Sequence, residues 1–392
     1  MRRFLKITLI TILVLASAGA LAYSLPLATK TSYVRGEHKE TPLTEPVVET
    51  TPIDTTPVRV VTHIPTPESV KGVYMTSWVA GTPSLRKNIV SLIERTELNT
   101  IIIDIKDYTG KISFVMPDEK LKAMGVMDNR IRDIASLIDE LHAKNIYVIG
   151  RIAVFQDPYF VKAHPELAVK KSSDKNVIWS DKKGITWLDA GSQEVWDYMA
   201  LLGDNSYAMG FDELNFDYIR FPSDGNMKDI YFPISDGKPK AEVMNSFFTF
   251  IGDYFKAKQI PTSADLFGMT TTSVDDLNIG QLLEHAVAHF DFVAPMVYPS
   301  HYPATWNGFK NPADHPKEVI TISMASAAKR VTAAGKDPNK VLRPWLQDFN
   351  LGATYTADMV RAQIDASNGL GLSSWMLWDA SNTYTEGALK KE

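Results

Sequence analysis

Residues 131–155 read IRDIASLIDELHAKNIYVIGRIAVF, and two periodicities meet in them. Over 131–144 the apolar residues Ile131, Ile134, Leu137, Ile138 and Leu141 form the i, i+3, i+4 stripe of an amphipathic helix. Past Lys144 the pattern becomes a short β-branched run, Ile146–Phe155, as in a buried parallel strand. The alternation extends in both directions. Further apolar runs fall at Gly72–Trp78, Thr100–Lys106, Phe211–Phe221, Pro261–Phe267, Phe292–Tyr298, Val341–Gln347 and Leu372–Trp378. Helical patterns lie between them at Leu85–Leu98, Val195–Met209, Ala241–Lys258, Ile279–Phe290, Lys317–Ala334 and Ala357–Asn368. Strand–helix alternation with eight strands predicts an α/β fold, the (β/α)8 TIM barrel. An open doubly wound sheet is the rival. The first run, GVYMTSW at 72–78, continues into VAGTP without a glycine-rich phosphate loop, which lowers that rival. Two long connections, 156–192 and 222–240, follow the third and fourth strands, on the face where barrels carry their chemistry.

Ahead of the barrel the composition changes twice. Arg2, Arg3 and Lys6 precede an apolar run from Ile7 to about Ala22, the form of a secretory signal or membrane anchor. Ala18-Gly19-Ala20 and Ala20-Leu21-Ala22 offer small-residue cleavage sites, so both the cleaved and the retained forms stay open. Residues 29–69 are rich in Thr, Pro, Glu and Val without periodicity, which predicts a disordered stalk. The expected division is therefore 1–28 signal or anchor, 29–69 linker and 70–392 barrel, in an extracytoplasmic monomer held at, or released from, a membrane.

The chain has 392 residues, 45% hydrophobic and 22% charged, with a formal net charge of -5. A mildly acidic chain lacks the basic footprint of a nucleic-acid binder, and neutral substrates fit it better. The absence of cysteine excludes disulfides, thiol nucleophiles and thiolate metal sites, and weighs against a lipoprotein anchor. No Gly-x-Ser-x-Gly elbow is present. His285 and His289 have helical i, i+4 spacing, but without a His-Glu-x-x-His motif or a third ligand they read as an exposed helix face. No metal and no cofactor are expected.

The strand ends carry the chemistry. They bring Trp78, then Asp104 and Asp107, then Asp265, then Tyr298 and His301, then Gln347 and Asp348, then Trp378 and Asp379. Carboxylates interleaved with aromatics suit a sugar: rings cover the C–H faces of a pyranose, and paired carboxylates supply acid and base or nucleophile. The fourth strand is the most unusual, FDELNFDYIRFP at 211–222. Glu213, Asn215 and Asp217 are spaced by two, so they point to one side, with Asp217 nearest the mouth. Arg220 or Lys106 is the expected partner of a buried carboxylate there. Structural ion pairing is the competing role for each of these groups.

FDELNFDYIRFP, with SADLFG at 263–268, APMVYPSHY at 294–302 and LWDASNTY at 377–384, resembles a largely uncharacterised bacterial family assigned as glycoside hydrolases. GVYMTSW and NTIIIDIKDYTG resemble it too, so the likeness covers roughly 71–385. It implies a (β/α)8 glycosidase site with the strand-four carboxylate at Asp217. The same stretch is distantly similar to the chitinase pattern Asp-x-x-Asp-x-Asp-x-Glu. Asp212, Asn215 and Asp217 fall on the aspartate positions, but Ile219 stands where the acid glutamate would be. The acid must then come from elsewhere, and Asp265 is the first candidate, ahead of Asp107 and Asp348.

The resulting expectation is a glycoside hydrolase of extracellular or envelope polysaccharide. Asp217 is its nucleophile or base, Asp265 its acid, and Arg220 holds Asp217 ionised. The other strand-end residues named above contact substrate. A catalytically inert carbohydrate-binding barrel and a polysaccharide deacetylase are the alternatives. The deacetylase needs an Asp-His-His metal set that the eight histidines do not supply at strand ends.

Overall fold

A computed structural model describes residues 59–391. The expected signal or anchor at 1–28 lies outside these residues, as does the linker up to 58. Among the described residues no helix is long and apolar enough to cross a membrane.

Eight parallel strands close into a barrel in sequence order: β1 Lys71–Met75, β2 Thr100–Lys106, β3 Tyr147–Ala153, β4 Glu213–Asp217, β5 Thr262–Phe267, β6 Phe292–Met296, β7 Trp345–Gln347 and β8 Trp375–Trp378. β8 returns to β1 through Lys71–Trp375 pairing. The main helix after each of the first seven strands is, in order, α1 Pro83–Glu94, α2 Ile134–Ala143, α3 Gln193–Met209, α4 Lys240–Ala257, α5 Leu283–His289, α6 Pro316–Ala333 and α7 Ala357–Gly369. Among the described residues a 3-10 turn, Glu386–Ala388, follows β8.

Period-two alternation builds both layers at once. Along β4, Leu214 and Phe216 point outward, Phe216 against Phe255 of α4 and Phe290 after α5. Gly203 of α3 lets that helix approach closely; a Cβ there would lie 2.9 Å from Leu214 and 2.3 Å from Phe255. Glu213, Asn215 and Asp217 face the interior, as their spacing predicts. α3 starts where the Ser192 hydroxyl caps Val195 N and stops at Gly210, at φ 113°.

Two departures from the sequence reading change what lies near the barrel ends. The first concerns Trp78. β1 ends at Met75 because the Thr76 side chain accepts from Val79 N and caps a short helix, Ser77–Ala80. Trp78 therefore sits on that helix and not on a strand. The second concerns residues 59–69, which pack across the N-terminal end of the barrel although their composition reads as stalk. Arg59 forks onto Asp139 and also donates to the Met209 carbonyl at 2.9 Å. Ile64 N donates to Asp212 Oδ1 at 2.7 Å. The His63 ring stacks on Tyr207 at 3.9 Å, and Thr66 Oγ1 bonds Tyr147 Oη at 3.0 Å. The folded unit thus begins at Arg59.

Candidate active site

The barrel interior is filled by polar groups in tiers. At the bottom, Glu213 accepts from Arg343 at 2.7 Å and Tyr147 at 3.1 Å. In the middle, Asp265 Oδ1 accepts from Asn215 Nδ2 at 2.9 Å and Trp345 Nε1 at 2.8 Å. Near the mouth, Arg151 of β3 binds Asp104 at 2.8 Å and also Asp217, while its Nε lies 3.8 Å from Asp265 Oδ2. Tyr74 donates to Asp104 at 2.5 Å. One guanidinium thus stands among three carboxylates, all nearly buried.

That imbalance sets the protonation. Burial, reinforced by the negative charge of Asp217, pushes Asp265 up to about 8. Asp265 accordingly carries a proton at neutral pH. Burial also raises Asp104, against the pull of Arg151. For Arg151, burial alone would lower the pKa, but the charges of Asp217 and Asp104 carry it well above the usual value. An ionised carboxylate beside a protonated one is the division of roles that acid–base catalysis uses.

Above this cluster opens a cleft of about 510 Å³, within the range of small-ligand sites. Asp217, Arg151 and Arg220 reach it, and Tyr218, Phe267, Tyr298, Tyr302 and Trp378 supply aromatic walls. His301 lies at its rim, 5.3 Å from the Tyr298 ring, and burial holds its pKa below the ordinary value. Trp378 stacks on Tyr74 at 4.0 Å and meets Trp345 edge-on. β4 ends at Asp217 because Tyr218 turns into the left-handed region, φ 53°, and its N–H donates to Asp217 Oδ1 at 2.5 Å.

Of the fourteen residues expected at the site, Asp217, Arg220, Tyr298, His301 and Trp378 line this cleft. Asp265, Asn215 and Asp104 lie beneath it in the tiers just described. Glu213 is at the opposite end of the barrel, where its ion pair with Arg343 makes it a floor residue and not a substrate contact. Four more are occupied by their own loops. Asp107 holds Thr109 and Arg130. Gln347 accepts from Ser300 N and donates to the Phe349 carbonyl. Asp348 holds Thr385, and burial pushes it up to about 6. Asp379 accepts from Ser381 and Thr383 N. Trp78 is 64% exposed and covers Arg130 in a separate cleft with Asp128 and Asp133.

The partner of Asp217 also differs from the expectation. Arg220 bonds the Phe221 carbonyl and Ser223, and Lys106 is buried against Asp157 and the Ala153 carbonyl. Arg151 takes the role assigned to them. Its signal was present: Tyr147, Ile149 and Arg151 share one parity, which places a charge on the inward side of an apolar strand. Among the described residues no cluster of His, Asp and Glu could hold a metal, and His289 Nε2 instead bonds Thr249 at 3.1 Å.

A family profile described as "Putative glycosyl hydrolase domain" matches residues 72–384. A search of curated proteins finds no match. Among solved structures, the chain is similar to a hypothetical protein from Ruminiclostridium thermocellum, with 33% identity and a TM-score of 0.43 over 49% of this chain and 96% of that one. It is similar to the PgaB (BpsB) glycoside hydrolase domain from Bordetella bronchiseptica, with 12% identity and a TM-score of 0.58 over 79% and 94%. A third similarity is to alpha-L-fucosidase isoenzyme 2 from Paenibacillus thiaminolyticus, with 14% identity and a TM-score of 0.56 over 82% and 48%. At such identities the last two show the barrel fold alone.

Proposed function

Because this chain belongs to the glycosyl hydrolase family whose profile spans residues 72–384, we propose that its barrel mouth hydrolyses glycosidic bonds of a polysaccharide outside the cytoplasm. The observation that carries the reading is the pairing of Asp217, ion-paired in the cleft, with Asp265, protonated behind it. Asp217 acts at the anomeric carbon, directly or through a water. The aromatic walls seat the sugar ring. Arg151 keeps Asp217 oriented without covering its cleft side.

Asp265 is the proton source, but at 1% exposure it does not touch the cleft. Tyr298 does, and burial holds its hydroxyl protonated, well above the ordinary tyrosine pKa. Among the described residues the two side chains share no direct hydrogen bond, so the proposed relay runs through a water: Tyr298 gives its proton to the departing oxygen and Asp265 reprotonates it. Glycosidases need such an acid because an unprotonated alkoxide leaves poorly.

One observation favours a carbohydrate-binding barrel instead: Asp217 is the single carboxylate lining the cleft among the described residues. Incubation of the protein with envelope and extracellular polysaccharides, followed by assay of new reducing ends, separates the two. Chain cleavage that fails in Tyr298→Phe supports the relay. Saturable binding without any new reducing end would leave the binding barrel.

A further inference from the structure

The long connections after β3 and β4 fold onto each other at the mouth. Lys170 and Tyr231 exchange backbone hydrogen bonds of 2.9 and 2.8 Å, and Trp179 Nε1 donates to the Asn226 carbonyl at 3.1 Å. Asp181 holds Trp187 in place through a 3.2 Å bond from its indole N–H. Against Trp187 lies Arg220, its guanidinium 4.8 Å from that ring and 4.5 Å from Phe267. Arg220 is 8% exposed and lines the cleft.

Among the described residues its charge has no close counter-ion. Nη1 donates to the Phe221 carbonyl at 3.0 Å and Ser223 Oγ at 3.1 Å, while Nε and Nη2 donate to no acceptor among the described residues. Asp217, Asp224 and Asp181 act on it only at longer range, and burial leaves its pKa below the usual value. Arg151 is the contrast, since carboxylates surround it. Lys183, exposed on the 156–192 connection, joins Arg220 and the paired Arg151 as a further cation of the same cleft. The one acid lining the cleft, Asp217, is already paired. A cationic pocket has thus been built into a chain of net charge -5, and such a pocket concentrates anions.

We infer that the substrate is an acidic glycan, and that a carboxylate on one of its sugars seats on Nε and Nη2 of Arg220, with Lys183 at the rim. The free guanidinium edge presents two coplanar N–H donors, which match the two oxygens of a carboxylate. The Trp187 and Phe267 rings packed against the guanidinium hold that edge in place. This inference rests on the glycosidase reading of the same cleft.

The test uses the full-length protein and paired probes: tetrasaccharides of uronic acids, and the same tetrasaccharides with their carboxyls reduced to neutral alcohols. Calorimetry at low salt is expected to give the acidic member of a pair at least about tenfold tighter binding, a preference that shrinks as salt rises. Arg220→Gln should erase the preference, and Arg220→Lys should restore part of it, with melting curves confirming that both variants are folded. Equal or tighter binding of the neutral member overturns the inference, as does an intact preference in Arg220→Gln. Preference for a phosphorylated oligosaccharide over the uronides overturns the carboxylate assignment. Cleavage of a neutral polysaccharide with no uronide binding removes this inference but leaves the glycosidase reading. Neither binding nor cleavage of any glycan removes both.

Discussion

Tyr218 holds a left-handed backbone conformation directly after Asp217, a placement that costs a bulky residue about 1–3 kcal/mol and persists only where its surroundings fix it. Here it swings the Tyr218 ring to the cleft wall and turns its N–H back onto the carboxylate. Asp265 makes a separate, pH-dependent prediction. Its folded pKa of about 8 lies above the ordinary carboxylate value. The stabilisation from keeping it protonated is therefore complete at acid pH and is lost as pH rises through about 8. Asp265→Asn cannot ionise, so its melting temperature relative to the parent should climb between about pH 4 and 8. A difference independent of pH in paired thermal scans would contradict the protonated assignment. The same residue predicts that turnover falls on the alkaline side as Asp265 loses its proton. The sequence made Asp217 legible because Glu213, Asn215 and Asp217 share one parity. It did not make the state of Asp265 legible, because that depends on three carboxylates from three strands meeting one guanidinium.

At the scale of elements, alternation of apolar periods identified every strand and the seven long helices, since burial on one side or two writes directly into sequence. End points were less legible where a single side chain decides them. Thr76 caps a helix two residues ahead of Trp78, and the apolar run conceals it. Residues 59–69 show the other limit. Their Pro- and Thr-rich composition is that of a stalk, yet Arg59, His63, Ile64 and Thr66 are held by partners 76 or more positions away. Such contacts leave no local pattern. They give a prediction: a chain beginning at Arg59 should melt clearly above one beginning at Val70, which exposes Asp212 and Tyr147 at the barrel floor. Each lost hydrogen bond is worth about 0.5–1.5 kcal/mol. Equal melting temperatures for the two chains would show that the segment lies on the barrel without stabilising it.

Along the barrel axis the ion-paired floor lies opposite the mouth, the end where barrels generally carry their chemistry. Glu213, Arg343, Tyr147 and the 59–69 segment close the floor. Arg151, Asp217 and the aromatic walls form the mouth, and the two long connections bring Arg220 and Lys183 over it. Ion pairs at both ends look alike in burial, so a stability assay alone does not distinguish them. Function does. Glu213→Gln breaks the floor pair and should destabilise the fold by about 3–5 kcal/mol, as removing one partner of a buried pair does. Asp217→Asn keeps the shape and one of the two hydrogen bonds the carboxylate accepts, while removing the charge proposed to act on the sugar. The direct measurement is the rate of new reducing ends per folded molecule, for the parent and both variants, on a polysaccharide the parent cleaves. The account predicts parental rates for folded Glu213→Gln, and a loss of about three orders of magnitude for Asp217→Asn with glycan binding retained. A folded Asp217→Asn protein that turns over at the parental rate would contradict it.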